Sequence, residues 1–345
     1  MKYLVVSLAL AFALSPLQAH AYAYRTCNGD KVTWESSSIC YNPMTVSFPS
    51  GSSQRTALER VRTAWNGSAN APSTRYDIRF NYTNDSSWRN GDEINDVCLT
   101  WDYGWGSSTL AVCVTMYDSC WWFGDGSINE TDIFFNPSVG WNLSTQPGAR
   151  DGGTSLALVG VHEFGHGLGL HHEDRWMATM NSRYPNGGTL GPYNSPDPLA
   201  DDCAADRVLY GSTGTSRDLA VSAYRRTGSG NSGRCRRSAF AVPRGGSLTV
   251  DWTFMNRGTI TATSDVYFYA STNDYISIFD RYLGGNFGAW VSGGGLVTSN
   301  RSLTIPSDMP VGYYYLGYVI DPNNTVPEAH EGNNSVAMID WIYVY

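Results

Sequence analysis

Between His162 and His172 the chain reads HEFGHGLGLHH, four histidines and a glutamate in eleven positions of a chain with six histidines in all. His162 and His166 stand four apart. On a helix that spacing sets them one turn apart, about 6 Å along the axis, with both imidazoles on one side. There they can take one ion at about 2.0–2.1 Å. Glu163 follows the first histidine, so its carboxylate projects beside such an ion instead of onto it. That is where a general base for a zinc-activated water belongs. Gly169 lets the backbone pass through a left-handed conformation and leave the helix axis, so the chain can double back and present a third side chain. The full pattern is His162-Glu163-x-x-His166-x-x-Gly169-x-x-His172. Three protein ligands leave a fourth position open, as catalytic zinc sites require. A bare HExxH arises by chance in many helices, but the added glycine and third histidine at fixed spacing are much harder to reach by accident. His171 falls one residue short of the spacing and is expected to point away from the ion. A closed structural site that also recruits His171 is the competing arrangement.

These residues resemble the metzincin clan of zinc endopeptidases, whose signature is HExxHxxGxxH followed by a Met-turn, and within it the matrixins. Met180, in Ala178-Thr179-Met180, follows His172 by eight residues, the matrixin spacing. Leu199 to Gly211, LADDCAADRVLYG, is similar to the last helix of a matrixin catalytic domain. Leu110-Ala111-Val112 and then Ile128 to Asn136 look like the strands at the upper rim of the cleft. The resemblance implies an α+β domain with the active-site helix beneath the cleft and substrate extended against Leu110, Ala111 and Val112 by β-augmentation. It also implies one Zn2+ on His162, His166 and His172, Glu163 as general base, and Met180 as the hydrophobic floor. Peptide bonds of protein or peptide substrates would be hydrolysed by attack of the zinc-bound water, without an acyl-enzyme. Structural Ca2+ is expected by family analogy only. There are departures. Met177 competes for the Met-turn at a less suitable distance. Ser182 stands where astacin- and serralysin-like relatives carry a tyrosine, which is displaced here to Tyr184. No matrixin propeptide with its zinc-blocking cysteine is present; Cys27 could act as such a thiolate, and a disulfide is the stronger alternative for it.

The rest of the chain sets the context. Lys2, the apolar run Tyr3 to Leu14 and the small-x-small triplet Ala19-His20-Ala21 read as a cleavable leader over residues 1–21. No later stretch reaches the roughly 18 apolar residues of a membrane span, so a secreted, extracellular protein without a transmembrane segment is expected. Charged residues make up only 16%, the net charge is −8 and lysine occurs only at Lys2 and Lys31, which excludes a basic nucleic-acid-binding surface. Seven cysteines and no CxxC pair point to disulfides. An odd count leaves one thiol over, Cys27 with Cys40 is a candidate short bridge, and the pairing of Cys98, Cys113 and Cys120 stays open.

Periodicity predicts strands at Lys31–Trp34 and Met44–Phe48, a helix over Ser53–Asn66, and strands at Tyr76–Tyr82, Val97–Trp101, Leu110–Met116 and Ile128–Phe135. Helices follow over Thr154–Gly167, with Asp151 to Thr154 as its cap, and Asp197–Tyr210, whose Asp201-Asp202 pair suits the helix dipole. These make a matrixin-like catalytic domain over residues 22–211. After a linker at 212–216, helical signals vanish. Strands at Leu219–Tyr224, Ser247–Phe254, Asp265–Ser271, Ser302–Ile305, Gly312–Asp321 and Ser335–Tyr345 describe an all-β sandwich over residues 217–345. Its turns, Asp321 to Glu328 and Glu331 to Asn334, resemble the cell-adhesion-related domain of bacterial surface and secreted proteins, an immunoglobulin-like fold. Tyr313 to Tyr315 and Trp290 could touch a surface, polymer or partner if exposed, but alternating strands bury such residues more often. The acidic turn suits an ordinary hairpin better than calcium. The competing reading of the whole chain is a surface adhesin or matrix-binding protein with an inactive zinc domain. Glu163 argues against it, since a structural site needs no carboxylate there.

Overall fold

The computed structural model describes residues 22–67, 76–118, 126–145, 153–175, 177–184, 196–222, 234–235 and 241–345. The expected leader, the Asp151 cap and Cys120 lie outside them.

The first half begins with a small hairpin, β1 (Thr26–Cys27) and β2 (Asp30–Lys31). Strand β3 (Ser38–Pro43) follows, then α1 (Ser53–Asn66), β4 (Asp77–Phe80), β5 (Asp96–Leu99), β6 (Ala111–Tyr117) and β7 (Ile128–Phe135). The last five strands form one sheet in the order β4-β3-β5-β7-β6. All neighbours are parallel except β6, which runs antiparallel to β7 and, among the described residues, leaves its other side as an open edge. A short parallel pair, β8 (Trp141–Asn142) and β9 (Thr154–Ser155), leads into α2 (Leu156–Gly167), and α3 (Ala200–Tyr210) closes this half.

Helix α1 forms where the pattern placed it. Ser52 caps it by accepting the Arg55 N–H at 3.1 Å, and Leu58, Val61, Ala64 and Trp65 bury one face. That face packs on α2, where the Trp65 indole donates to the Val161 carbonyl at 3.0 Å. Each large apolar side chain buried this way contributes about 1.5–3 kcal/mol.

Several expectations need correction. Met44–Phe48 is a turn: Phe48 N–H donates to Met44 O at 2.9 Å, and Val46 is exposed. The strand lies just before it, with Ile39, Tyr41 and Pro43 inward. Only Lys31 of the Lys31–Trp34 stretch is paired. Helix α2 starts at Leu156 and α3 at Ala200, because Ser155 and Leu199 are still extended. Cys27 is disulfide-bonded, while Cys40, Cys98 and Cys113 are free thiols. The Cys27–Cys40 bridge is therefore not formed, and Cys27 is no free thiolate.

The second half holds β10 (Leu219–Val221), β11 (Arg234–Cys235), β12 (Ala241–Val242), β13 (Ser247–Asn256), β14 (Ala262–Ser271), β15 (Arg281–Val291), β16 (Leu296–Thr304), β17 (Gly312–Ile320) and β18 (Ser335–Val344). One sheet joins β10, β11 and β16 to β13; the other runs β12-β18-β17-β14-β15. Both close on a single core that includes Trp252, Phe254, Phe268, Leu316 and Tyr318. Strand β15 was hidden in the sequence by its glycines. Gly288, at φ +65°, sits in a stretch where the β14–β15 register shifts, so alternation is broken although pairing is not.

The halves share an apolar seam in which Met177, Leu199 and Ala200 meet Ala220 and Met255. Beside it Arg207 donates to the carbonyls of Arg257 and Gly258 at 2.8 and 3.2 Å. Arg257, 1% exposed, lies 3.7 Å from Asp197 and 3.6 Å from Asp218, and Asp197 also takes Arg60 at 2.5 Å.

Candidate metal centre

Helix α2 carries the histidine motif. Ser155 Oγ caps it by accepting the Leu158 N–H at 3.2 Å, and Leu156, Ala157, Val161 and Phe164 anchor it in the core. The helix stops where Leu168 N–H doubles onto the Phe164 and Gly165 carbonyls. Gly169 follows at φ +94°, and a Cβ there would come within 2.6 Å of the Val32 carbonyl oxygen. Only glycine fits, and the chain turns back toward the helix.

That reversal brings His172 to His162 and His166. Their three Nε2 atoms lie 3.1 to 3.3 Å from one another. Tetrahedral ligands at zinc distance stand about 3.3 Å apart. His162 Nδ1 lies 2.8 Å from the Thr179 carbonyl oxygen, and His166 Nδ1 2.8 Å from that of Leu170. A carbonyl only accepts, so both Nδ1 atoms carry the proton and both Nε2 atoms present lone pairs. Burial keeps the rings neutral. It pushes His162 down to about 4, His166 well below its ordinary value, and His172 down as well. Neutral lone pairs this close repel one another, and a cation between them relieves the repulsion. Among the described residues this is the only group of three or more ligand-type side chains whose donor atoms converge. The donor set fits zinc. His171 stands outside the group and is exposed; its backbone N–H donates to the Ala23 carbonyl at 2.8 Å.

Glu163 is 7% exposed. Burial pushes its carboxyl up to about 8, and a hydrogen bond from the Cys113 backbone N–H pulls the other way. The carboxyl thus lies against β6. Ala111 and Val112 are in β6, on the open edge of the sheet, and Leu110 immediately precedes it, its carbonyl accepting the Asn136 N–H at 2.9 Å. Two lines of geometry meet here: an unpaired strand edge and a buried carboxyl beside the histidines.

Met180 is buried under α2. A Cβ on Gly165 would come within 2.4 Å of its sulfur, so the glycine inside the motif is what admits it. Met177 belongs instead to the seam between the halves. The Met-turn is held from α3: the Asp202 carboxylate accepts the backbone N–H groups of Thr179 at 2.6 Å, Met180 at 3.1 Å and Leu199 at 2.8 Å. Sequence reasoning assigned Asp202 to the helix dipole and missed this. Its only signal was an acidic pair at a helix start. Thr179 Oγ donates to the Asp197 carbonyl at 3.0 Å, so one residue links His162 to both aspartates. Tyr184 takes no part at the histidines; its hydroxyl accepts the Ser155 N–H at 3.0 Å, bracing the start of α2.

The family model for matrixins matches residues 38–211, about half of the chain. Human stromelysin-3 is 36% identical over 99 residues, 27% of this chain, and the match spans 17% of the length of stromelysin-3. Among solved structures, the CARDB domain of a Pyrococcus furiosus protein in complex with di-metal ions has a TM-score of 0.27 at 16% identity, covering 38% of this chain and 90% of its own. A β-glucosidase from Listeria innocua in complex with glucose has a TM-score of 0.23 at 11% identity, covering 39% and 17%.

Proposed function

The chain belongs to the matrixin family, and from that premise we propose that it is a secreted zinc endopeptidase of metzincin type with an immunoglobulin-like sandwich behind the catalytic half. The observation that carries this reading is the convergence of three Nε2 atoms, two of them oriented by carbonyls, beside a buried glutamate. His162, His166 and His172 would hold the zinc. Bound zinc supplies Lewis acidity to a water and to the scissile carbonyl. Glu163 takes the water's proton on its carboxylate and returns it to the leaving amine. The edge of β6 at Leu110, Ala111 and Val112 orders an extended substrate through backbone hydrogen bonds. Met180 supports the helix from below. Calcium rests on family analogy alone. Residues 1–21 are assigned to the leader, 22–211 to catalysis and 217–345 to targeting or stability.

Glu163→Ala tests the mechanism. It is expected to abolish casein cleavage while the protein keeps its zinc, a loss of several orders of magnitude. Hydrolysis at the unaltered rate by the variant would overturn the role of Glu163. Zinc content well below one equivalent in the purified protein would overturn the site itself.

A further inference from the structure

One cation lies at the candidate site without an anionic partner. The segment before β1 lies along the turn after α2: Tyr24 bridges Leu170, Arg25 N–H donates to the Gly169 carbonyl at 2.9 Å, and His171 N–H donates to Ala23 O. This antiparallel contact puts the Arg25 side chain between the histidine turn and β6. Its guanidinium lies 5.9 Å from the centroid of the Tyr117 ring, at the far end of β6. The Nε of Arg25 is buried and has no hydrogen-bond partner. Buried polar groups are normally paired, and a guanidinium pairs a carboxylate side-on through Nε and Nη. The chain as a whole carries −8, so general attraction does not draw acidic peptides here. Any attraction for acidic peptides here has to be local.

We propose that Arg25 is a specificity-determining residue that binds acidic side chains of the substrate N-terminal to the scissile bond. The inference rests on the peptidase reading. Glu163 lies at the level of Cys113 on β6, and Tyr117 is further along the same strand. A peptide antiparallel to β6 meets that further part of the edge with its upstream residues. At about 3.3 Å per residue the distance corresponds to roughly two to four positions before the cleaved bond. Aspartate or glutamate there would pair with the exposed part of the guanidinium and replace the solvent around it. Arginine's planar fork makes the contact geometric as well as electrostatic.

The test separates binding from hydrolysis. An uncharged nonapeptide with one glutamate walked through its first four positions, and its glutamine counterparts, are titrated by fluorescence anisotropy against zinc-loaded protein carrying Glu163→Gln. At the best position glutamate is expected to bind about tenfold tighter than glutamine. Arg25→Gln in the same background brings the ratio to one, and Arg25→Glu reverses it for a lysine series. A ratio near one with Arg25 present, or the same ratio in Arg25→Gln, overturns the proposal. Retained zinc and circular dichroism report that the variants fold. Cleavage of the same peptides by the protein with Glu163 intact judges the peptidase reading separately.

Discussion

Two groups of buried carboxylates in this chain differ in what faces them. Asp197 and Asp218 surround the Arg257 guanidinium at the seam between the halves. Asp96, Glu130 and Asp132, in and near the central strands of the first sheet, face one another. Glu130 takes the Gly91 and Glu93 N–H groups, Asp132 Oδ1 takes the Asp96 N–H, and Asp132 Oδ2 is buried without a partner. Burial, reinforced by neighbouring carboxylates, pushes Asp96 up to about 6 and Asp132 up to about 8. Asp218 is also raised by burial, but Arg257 pulls it back. Where a cation is supplied, it opposes the upward push of burial; where it is not, neighbouring carboxylates add to that push.

The largest test removes the cation. Arg257→Leu leaves Asp218 buried without a cation and Asp197 with Arg60 alone, and about 3–5 kcal/mol of stability should be lost. Urea unfolding measures it. Zinc affinity should fall as well, because Asp197 O receives the Thr179 hydroxyl and the Thr179 carbonyl orients His162. A loss below about 1 kcal/mol with unchanged zinc affinity would erase the distinction between the two groups.

A middle-sized test uses pH. Asp132 keeps its proton in the folded protein up to about 8, whereas an unfolded aspartate loses it near 4. Between those values the unfolded chain binds fewer protons, so stability falls as pH rises. Asp132→Asn keeps the acceptor for Asp96 N–H and should remove up to about 1.4 kcal/mol per pH unit of that slope. Urea midpoints from pH 5 to 8 that fall equally steeply in both proteins would contradict the assignment.

The smallest effect belongs to a solvent-exposed pair. Arg79 and Asp77 lie 2.7 Å apart with side chains 65% and 49% exposed, and Arg79→Ala should shift stability by no more than about 0.5 kcal/mol. A larger loss would mean that burial is not what gives the Arg257 ion pairs their weight.

The contrast also explains what could be read in advance. The histidine spacing and Glu163 show directly in the letters of one short stretch, whereas Met180 and the strands of the open edge were expected from the matrixin resemblance. The helix over Ser53–Asn66 matched to the residue because cap, periodic face and terminal glycine are all local. The grip of Asp202 on the Met-turn, the Arg257 pair and the Arg25 position join residues far apart in the chain, and no period encodes such a meeting. The strand at Arg281–Val291 was missed for another reason: glycines and bulges removed the alternation by which strands are recognised. Ser38–Pro43 was missed because serine, cysteine, asparagine and proline interrupt its inward apolar positions.

The hold on the Met-turn has a temporal side. A ribosome releases His162, His166 and His172 first, then Thr179 and Met180, then Asp197 and Asp202, and Arg257 much later. Domains tend to fold in that order during synthesis. The last side chain bracing the seam therefore arrives only when about a third of the second half has been made. A nascent chain holds its histidines before it holds their lock, and the assembled centre waits on the start of the second half.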